Sequence, residues 1–202
     1  MILLIRHGET ALNAARVVQP PETPLSERGR AQAAALGARL ESLGIVRIVS
    51  SDLRRAAMTA GALAAASGAP IEHQPLLQER NFGDMRGKSY SELPRSFFDR
   101  DYHPPGGESY VQFDARVVEA WRWVVEIAAA TEGPLAVVTH GLFCHSAARQ
   151  CFALEAAQVP MRFGNTSLTE VQRQPPHEVR VLNSTEHLVG ELADDRHSAS
   201  GL

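Results

Sequence analysis

The sequence predicts an α/β fold of three layers, α/β/α, with a mostly parallel central sheet. Three observations carry this. Short apolar runs such as residues 1–5 and 135–139 lack polar alternation, as strands buried on both faces do. Stretches with helical spacing of apolar residues alternate with those runs. The 202 residues suit one domain and can bury a core without disulfide or metal staples.

The elements follow in order. Residues 1–5 form the first strand. Residues 14–24 form a loop marked by Pro20, Pro21 and Pro24. Ser26 caps a helix that runs to about residue 43, where Gly44 stops it. Residues 45–49 give the second strand. Asp52 then caps an alanine-rich helix ending near Gly68, and residues 70–74 give the third strand. Residues 80–107 break the rhythm with Gly83, Gly87, Pro94 and the run Pro104-Pro105-Gly106-Gly107. This stretch holds five of the twelve aromatics: Phe82, Tyr90, Phe97, Phe98 and Tyr102. It reads as an excursion covering a site, with aromatics that stack on a substrate or form local core. A long helix over about 108–131 places Phe113, Val117, Trp121, Val124 and Val125 at helical spacing. Strand 135–139 and a helix after His140-Gly141 follow, then strands 166–171 and 179–182. One domain over 1–190 with a lid-like insertion at 80–109 is expected, and a tail over 191–202 that frays.

Composition removes several function classes. Twenty Lys and Arg against 23 Asp and Glu leave a net charge of −3, which argues against nonspecific nucleic-acid binding. No apolar run approaches the ~18 residues of a membrane span. The N-terminus reaches Arg6 too early for a signal peptide, so a cytoplasmic protein is expected. Cys144 and Cys151 share a helix face as small buried groups; a disulfide or a metal pair are the lesser readings. Oligomeric state is not legible.

In parallel α/β sheets ligands sit at the carboxyl ends of the strands. The residues at those positions are Arg6-His7-Gly8-Glu9-Thr10, Ser50-Ser51-Asp52-Leu53-Arg54-Arg55, Glu79 and His140-Gly141. Two histidines, two or three arginines and one carboxylate therefore converge on one edge. Arginine forks fit phosphate oxygens, glycines Gly8 and Gly141 permit close backbone approach, and helix N-termini favour anions. Taken singly, each residue has a structural reading; four successive strand ends together point to a phosphate pocket. His140 and His145 do not have the spacing of a metal pair on one helical face.

Arg6-His7-Gly8-Glu9-Thr10 with Asn13 resembles the signature of the histidine phosphatase superfamily, which includes the cofactor-dependent phosphoglycerate mutases. Further segments continue the resemblance across roughly residues 1–189. They are Pro24-Leu25-Ser26 with Gly29 and Gln32-Ala33, then Ser50-Ser51-Asp52-Leu53 with Arg55-Ala56 and Thr59-Ala60. Next come Leu77 to Gly83 with Gly87, then Val137-Val138-Thr139-His140-Gly141, and Asn165 with Leu182-Asn183 to His187-Leu188. Met85 departs from the family's frequent tryptophan, and Pro20 from its frequent glycine.

The resemblance implies that His7 is a nucleophile forming a phosphohistidine, oriented by the Gly8 carbonyl. It implies that Arg6, Arg55 and His140 neutralise the transferring phosphoryl group, with Asn13 adding a hydrogen bond. Arg55 is preferred to Arg54 because it directly precedes Ala56. Glu79 protonates the leaving oxygen, and no metal or other cofactor is required. The implied activity is hydrolysis of a small phosphorylated metabolite. Mutases of the family carry a longer basic insertion before the second histidine, and the short stretch here favours the phosphatase branch. Arg80, Arg86, Lys88 and Arg95 leave a basic rim that suits a carboxylate, which keeps a mutase as the alternative. A weakly catalytic phospho-ligand binder is a third reading.

Overall fold

The computed structural model describes residues 1–193. Six strands form one sheet: β1 (Ile2–Arg6), β2 (Arg47–Ser50), β3 (Ile71–His73), β4 (Leu135–Thr139), β5 (Leu168–Val171) and β6 (Val179–Ser184). Their order is β3-β2-β4-β1-β5-β6. The first four are parallel, while β5 runs antiparallel to both β1 and β6. The mostly parallel sheet is thus as expected, with one reversed strand.

Side-chain alternation along the strands builds the two outer layers. Ile2, Leu4, Leu135 and Val137 face α4 (Tyr110–Ala129) and α5 (Gly141–Cys151), meeting Phe113, Val117, Trp121 and Phe143. Leu3, Ile5, Ala136 and Val138 face α2 (Glu27–Leu40) and α3 (Arg54–Ser67), meeting Leu36, Leu40, Ala56, Ala60 and Leu63. Alanine-rich α3 lets α2 lie close: a Cβ at Gly37 would stand 3.2 Å from that of Ala66. Cys144 and Cys151 are both free, the former buried on α5. Among the described residues no helix is long and apolar enough to cross a membrane.

Local signals set most helix ends. Ser26 accepts from the Gly29 N–H, Gly44 and Gly68 adopt left-handed conformations, and Ser109 forms a capping box with Gln112. Asp52 is a correction. Leu53 occupies the N-cap of α3, its N–H bonded to Ser51 Oγ, and the Arg54 N–H goes to the Pro21 carbonyl. With these acceptors supplied from elsewhere, the exposed Asp52 instead accepts from Gln78 Nε2 at 2.7 Å. A one-turn helix, α1 (Ala11–Ala14), capped by Thr10, was not signalled.

The excursion is a chain of short 3-10 turns, Gly83–Met85, Tyr90–Glu92 and Arg95–Phe98. Val18, Met85 and Phe97 form a small core beneath it, joined by Phe82, Tyr90, Leu93 and Tyr102. Its backbone is stitched to the loop after α1 through Val18 N–H to Lys88 O, Gly87 N–H to Val18 O and Tyr90 N–H to Arg16 O. Gly83 has φ +51°, and a Cβ there would lie 2.0 Å from the Pro105 carbonyl oxygen. After Gly190 the chain makes a 3-10 turn, Gly190–Ala193, whose Glu191 and Leu192 carbonyls accept from Arg28. The rest of the tail expected to fray lies outside the described residues.

Candidate active site

His7 is the first residue beyond β1. Its backbone is fixed on both sides: its N–H goes to Thr139 O at 2.9 Å, and its carbonyl accepts from Asn165 Nδ2 and the Thr166 N–H. Ring nitrogen Nδ1 lies 2.7 Å from the Gly8 carbonyl oxygen. A carbonyl only accepts, so Nδ1 carries the proton and Nε2 keeps a free lone pair. Burial holds the His7 pKa well below the usual histidine range, helped by Arg55 and Arg6 and opposed by the Gly8 bond. The ring is therefore neutral near pH 7.

Gly8 is required for a reason that the substrate does not supply. A Cβ there would sit 2.5 Å from the Gly29 carbonyl oxygen, and one at Gly29 would sit 2.0 Å from that of Glu9. The end of β1 and the start of α2 cross backbone to backbone. Glu9 turns away from His7 and accepts from Ser26 Oγ at 2.9 Å, with Arg28 at 3.4 Å.

Three further groups gather around the His7 ring. Arg6 is buried and bonds the Phe163 carbonyl. Arg55, in the first turn of α3, is 2% exposed; its Nη1 reaches Pro20 O at 3.3 Å and its Nε has no protein partner. Burial pulls the Arg55 pKa down to about 10 against the pull of Glu79, which leaves it charged. Arg54 is exposed. His140, the N-cap of α5, stands edge-on to His7 with ring centroids 5.1 Å apart. Its Nε2 is 2.8 Å from Ser51 Oγ, and its buried Nδ1 has no partner. Burial and then Arg55 hold its pKa well below the ordinary value.

Glu79 closes the group opposite. Its Oε1 accepts from its neighbour's N–H, Arg80, at 3.0 Å, and Oε2 from the Leu142 N–H in the first turn of α5 at 3.1 Å. Burial pushes its pKa up despite these two bonds and the nearby Arg55 and Arg6. A carboxyl raised in this way is suited to hold a proton and release it.

A cleft of about 650 Å³, counted to its open mouth, opens beside these residues. Arg6, His7, Asn13, Arg55, Glu79 and Gly141 line it, together with the polar Gln19, Arg80 and Arg86 and the apolar Val17, Val18, Leu53, Phe82 and Leu142. Gly8 and His140 are buried beside it. Asn13 is buried with Oδ1 unpartnered. Arg80 borders the cleft, yet its Nε bonds Glu108 O and its Nη2 bonds Tyr102 O, and the guanidinium lies 3.8 Å from the Tyr110 ring centre. It props the excursion. Arg86 lines the rim, while Lys88 and Arg95 are exposed outside the lining. Among the described residues no cluster of three or more His, Cys, Asp or Glu is arranged to hold a metal ion.

Residues 2–185 match the model of the histidine phosphatase superfamily, branch 1. The chain belongs to this family. A curated relative, the probable phosphoglycerate mutase GpmB of Salmonella paratyphi B, is 33% identical over 184 residues, covering 86% of this chain and 85% of the relative. Among solved structures, Bacillus stearothermophilus YhfR is 31% identical with a TM-score of 0.79, covering 92% of this chain and 98% of that one. A mycobacterial glucosyl-3-phosphoglycerate phosphatase complexed with VO3 is 30% identical with a TM-score of 0.73, covering 85% of this chain and 90% of its own.

Within this histidine phosphatase the two departures have structural accounts. Pro20 lacks an N–H, and its carbonyl instead accepts from Thr23 N–H, Thr23 Oγ1 and Arg55. Met85 belongs to the core under the excursion. Sequence reasoning missed Ser51 as the partner of His140 and the Leu142 N–H as a partner of Glu79. It also missed Arg116. A signal for Arg116 existed: it stands three residues after Phe113 and four before Ala120, on the helix stripe that faces the core.

Proposed function

We propose that the chain is a phosphomonoester hydrolase that works through a phosphohistidine on a small phosphorylated metabolite, without a metal. The observation that carries this is the Nδ1 bond from His7 to the Gly8 carbonyl, which leaves Nε2 as a neutral nucleophile among cations. Nε2 attacks phosphorus as the bond to the ester oxygen breaks, and protonated Glu79 gives its proton to the departing oxygen. Arg6 and Arg55 stabilise the charge on the transferring group, with Asn13 adding a hydrogen bond and His140, edge-on beside the His7 ring, offering its unpartnered Nδ1. The Glu79 carboxylate then takes a proton from water, which attacks the phosphohistidine; the N–P bond breaks and inorganic phosphate leaves. The positive charge comes from arginine, so the reaction needs no ion.

Hydrolysis is preferred to a mutase because the stretch between Glu79 and His140 is short and Arg80 gives Nε and Nη2 to carbonyls of the excursion. The rim Arg86 is the observation that favours the alternative, since it suits the carboxylate of a phosphoglycerate. A panel of phosphomonoesters assayed in excess chelator, alongside 3-phosphoglycerate with 2,3-bisphosphoglycerate, separates the readings. Released phosphate with little isomerisation is expected. Dominant isomerisation would make the chain a mutase, and activity lost to chelator and restored by Mg²⁺ would reject the metal-free reading.

A further inference from the structure

Arg116, on α4, sends each of its five N–H donors to the segment that carries Glu79 or to that segment's anchor. Nη1 donates to the carbonyls of Leu76 at 2.8 Å and Gln78 at 2.9 Å, and Nη2 to that of Glu79 at 3.3 Å. The remaining bonds go to Glu108, from Nε to Oε1 and from Nη2 to Oε2, both at 2.8 Å. Glu108 extends the grip: its Oε2 accepts from the Asn81 N–H at 2.8 Å, and its own N–H goes back to Asn81 O at 2.8 Å. Burial alone would raise the Glu108 carboxyl; the bonds from Arg116 and Asn81 outweigh it and hold the pKa below the usual carboxylate value. One ion pair thereby fixes main-chain groups at 76, 78, 79 and 81, on both sides of Glu79. Neither partner borders the cleft.

We propose that Arg116, held by Glu108, is a positioning residue for the Glu79 carboxyl, fixing the main chain on either side so that the acid stands at the leaving oxygen. This rests on Glu79 being the proton donor. A proton donor must sit within hydrogen-bond reach of the departing atom, and a displacement of about 1 Å can cost up to about 10²-fold. That cost falls on leaving groups that need the proton. A structural role without positioning would slow all substrates alike.

The test measures single-turnover phosphoenzyme formation by Arg116→Lys and Glu108→Gln, with an alkyl phosphate and with 4-nitrophenyl phosphate. Circular dichroism and thermal melting check the fold. The expected result is a loss of about 10–100-fold with the alkyl phosphate and a change within about threefold with nitrophenyl phosphate. In a Glu79→Gln background the selective loss from Arg116→Lys should vanish, because the two act through one carboxyl. Equal losses on both substrates, or a selective loss that persists without the Glu79 carboxyl, would overturn the proposal. If Arg116→Lys does not fold, Glu108→Gln applies the same criteria with the three Arg116–carbonyl bonds left in place. Glu79→Gln alone separates the two layers of argument. If it is selective while Arg116→Lys is not, only the positioning role fails; if it is not selective, the proton-donor reading fails and takes the positioning role with it.

Discussion

At the strand ends Arg55 bonds Pro20 O through Nη1, and among the described residues its Nε has no partner beside the cleft. In the excursion Arg80, also 2% exposed, gives Nε to Glu108 O and Nη2 to Tyr102 O and lies on the Tyr110 ring, with Nη1 alone left without a partner among the described residues. The strand-end region is rigid by virtue of its sheet, so its cation keeps donors for a ligand. The excursion has only short 3-10 turns and a small core, and its backbone carbonyls draw on the arginines around it. Two buried arginines at the edge of one cleft thus do different jobs. Supply of carbonyl acceptors separates them, since burial is the same.

The largest effect that would sharpen this contrast is expected from Glu79→Gln. Turnover of alkyl phosphates should fall by about 10²–10⁴-fold, with a smaller loss on nitrophenyl phosphate. The pH profile supplies a second readout. The His7 pKa is lowered, so the acidic limb, where the ring must lose a proton, lies well below 6.5. The Glu79 pKa is raised, so the basic limb, where the acid loses its proton, lies above the ordinary value of 4.5. Glu79→Gln should abolish the basic limb and leave the acidic one; an unchanged profile would remove Glu79 from the acid role.

Next in size is Arg55→Ala, expected to lower kcat/KM by about 10²–10³-fold with little change in melting temperature. Arg54→Ala, on the exposed side of the same turn, should stay within ~0.5 kcal/mol. Arg80→Ala should do the converse. It leaves two carbonyls without their donor, at about 1–3 kcal/mol each where they are shut off from water, so thermal stability should drop while kcat changes less than for Arg55→Ala. A rate loss equal to that of Arg55→Ala with unchanged melting would erase the distinction between the two arginines.

The difference between Arg54 and Arg55 was legible only through the family resemblance, whose pattern places the arginine directly before Ala56, and the structure leaves Arg54 exposed and Arg55 buried. The strands were legible too, because runs such as Ile2-Leu3-Leu4-Ile5 are apolar on both faces. The start of α3 was not: Asp52 has the chemistry of a cap, but Ser51 and Pro21 already supply the acceptors, and no local rule shows that Pro21, 33 residues before Arg54, is one of them. Arg80 lines the cleft as a residue of the basic rim; its charge is visible in a sequence, and its two carbonyl partners are not. Leu142 escaped for a related reason, since the group that meets Glu79 is a main-chain N–H that any residue type could carry. Side-chain identity reveals the chemistry of a site, and its main-chain partners appear only with the fold.

The smallest expected effect concerns stability at low pH. His187 lies between Arg39 and Thr166, 2.9 Å from Thr166 Oγ1, and burial, helped by Arg39, lowers its pKa to about 4. A lowered folded-state pKa means that the unfolded chain binds the extra proton first. The contribution is complete above about 6.5 and is lost as the pH falls towards about 4. Melting temperature should therefore decline across this window, with His7 and His140 adding to the slope in the same direction. His187→Asn should make the decline shallower; a steeper decline would contradict the sign.

The most direct measurement is the position of the phosphate on the enzyme. Labelled substrate is mixed with enzyme, quenched in alkali to preserve phosphohistidine, and the adduct is mapped by peptide analysis and ³¹P NMR. Phosphate on Nε2 of His7 is predicted, because Nδ1 holds its proton against the Gly8 carbonyl, and His7→Ala should give neither adduct nor turnover. Phosphate on Nδ1, an adduct on another residue, or turnover by His7→Ala would contradict the account.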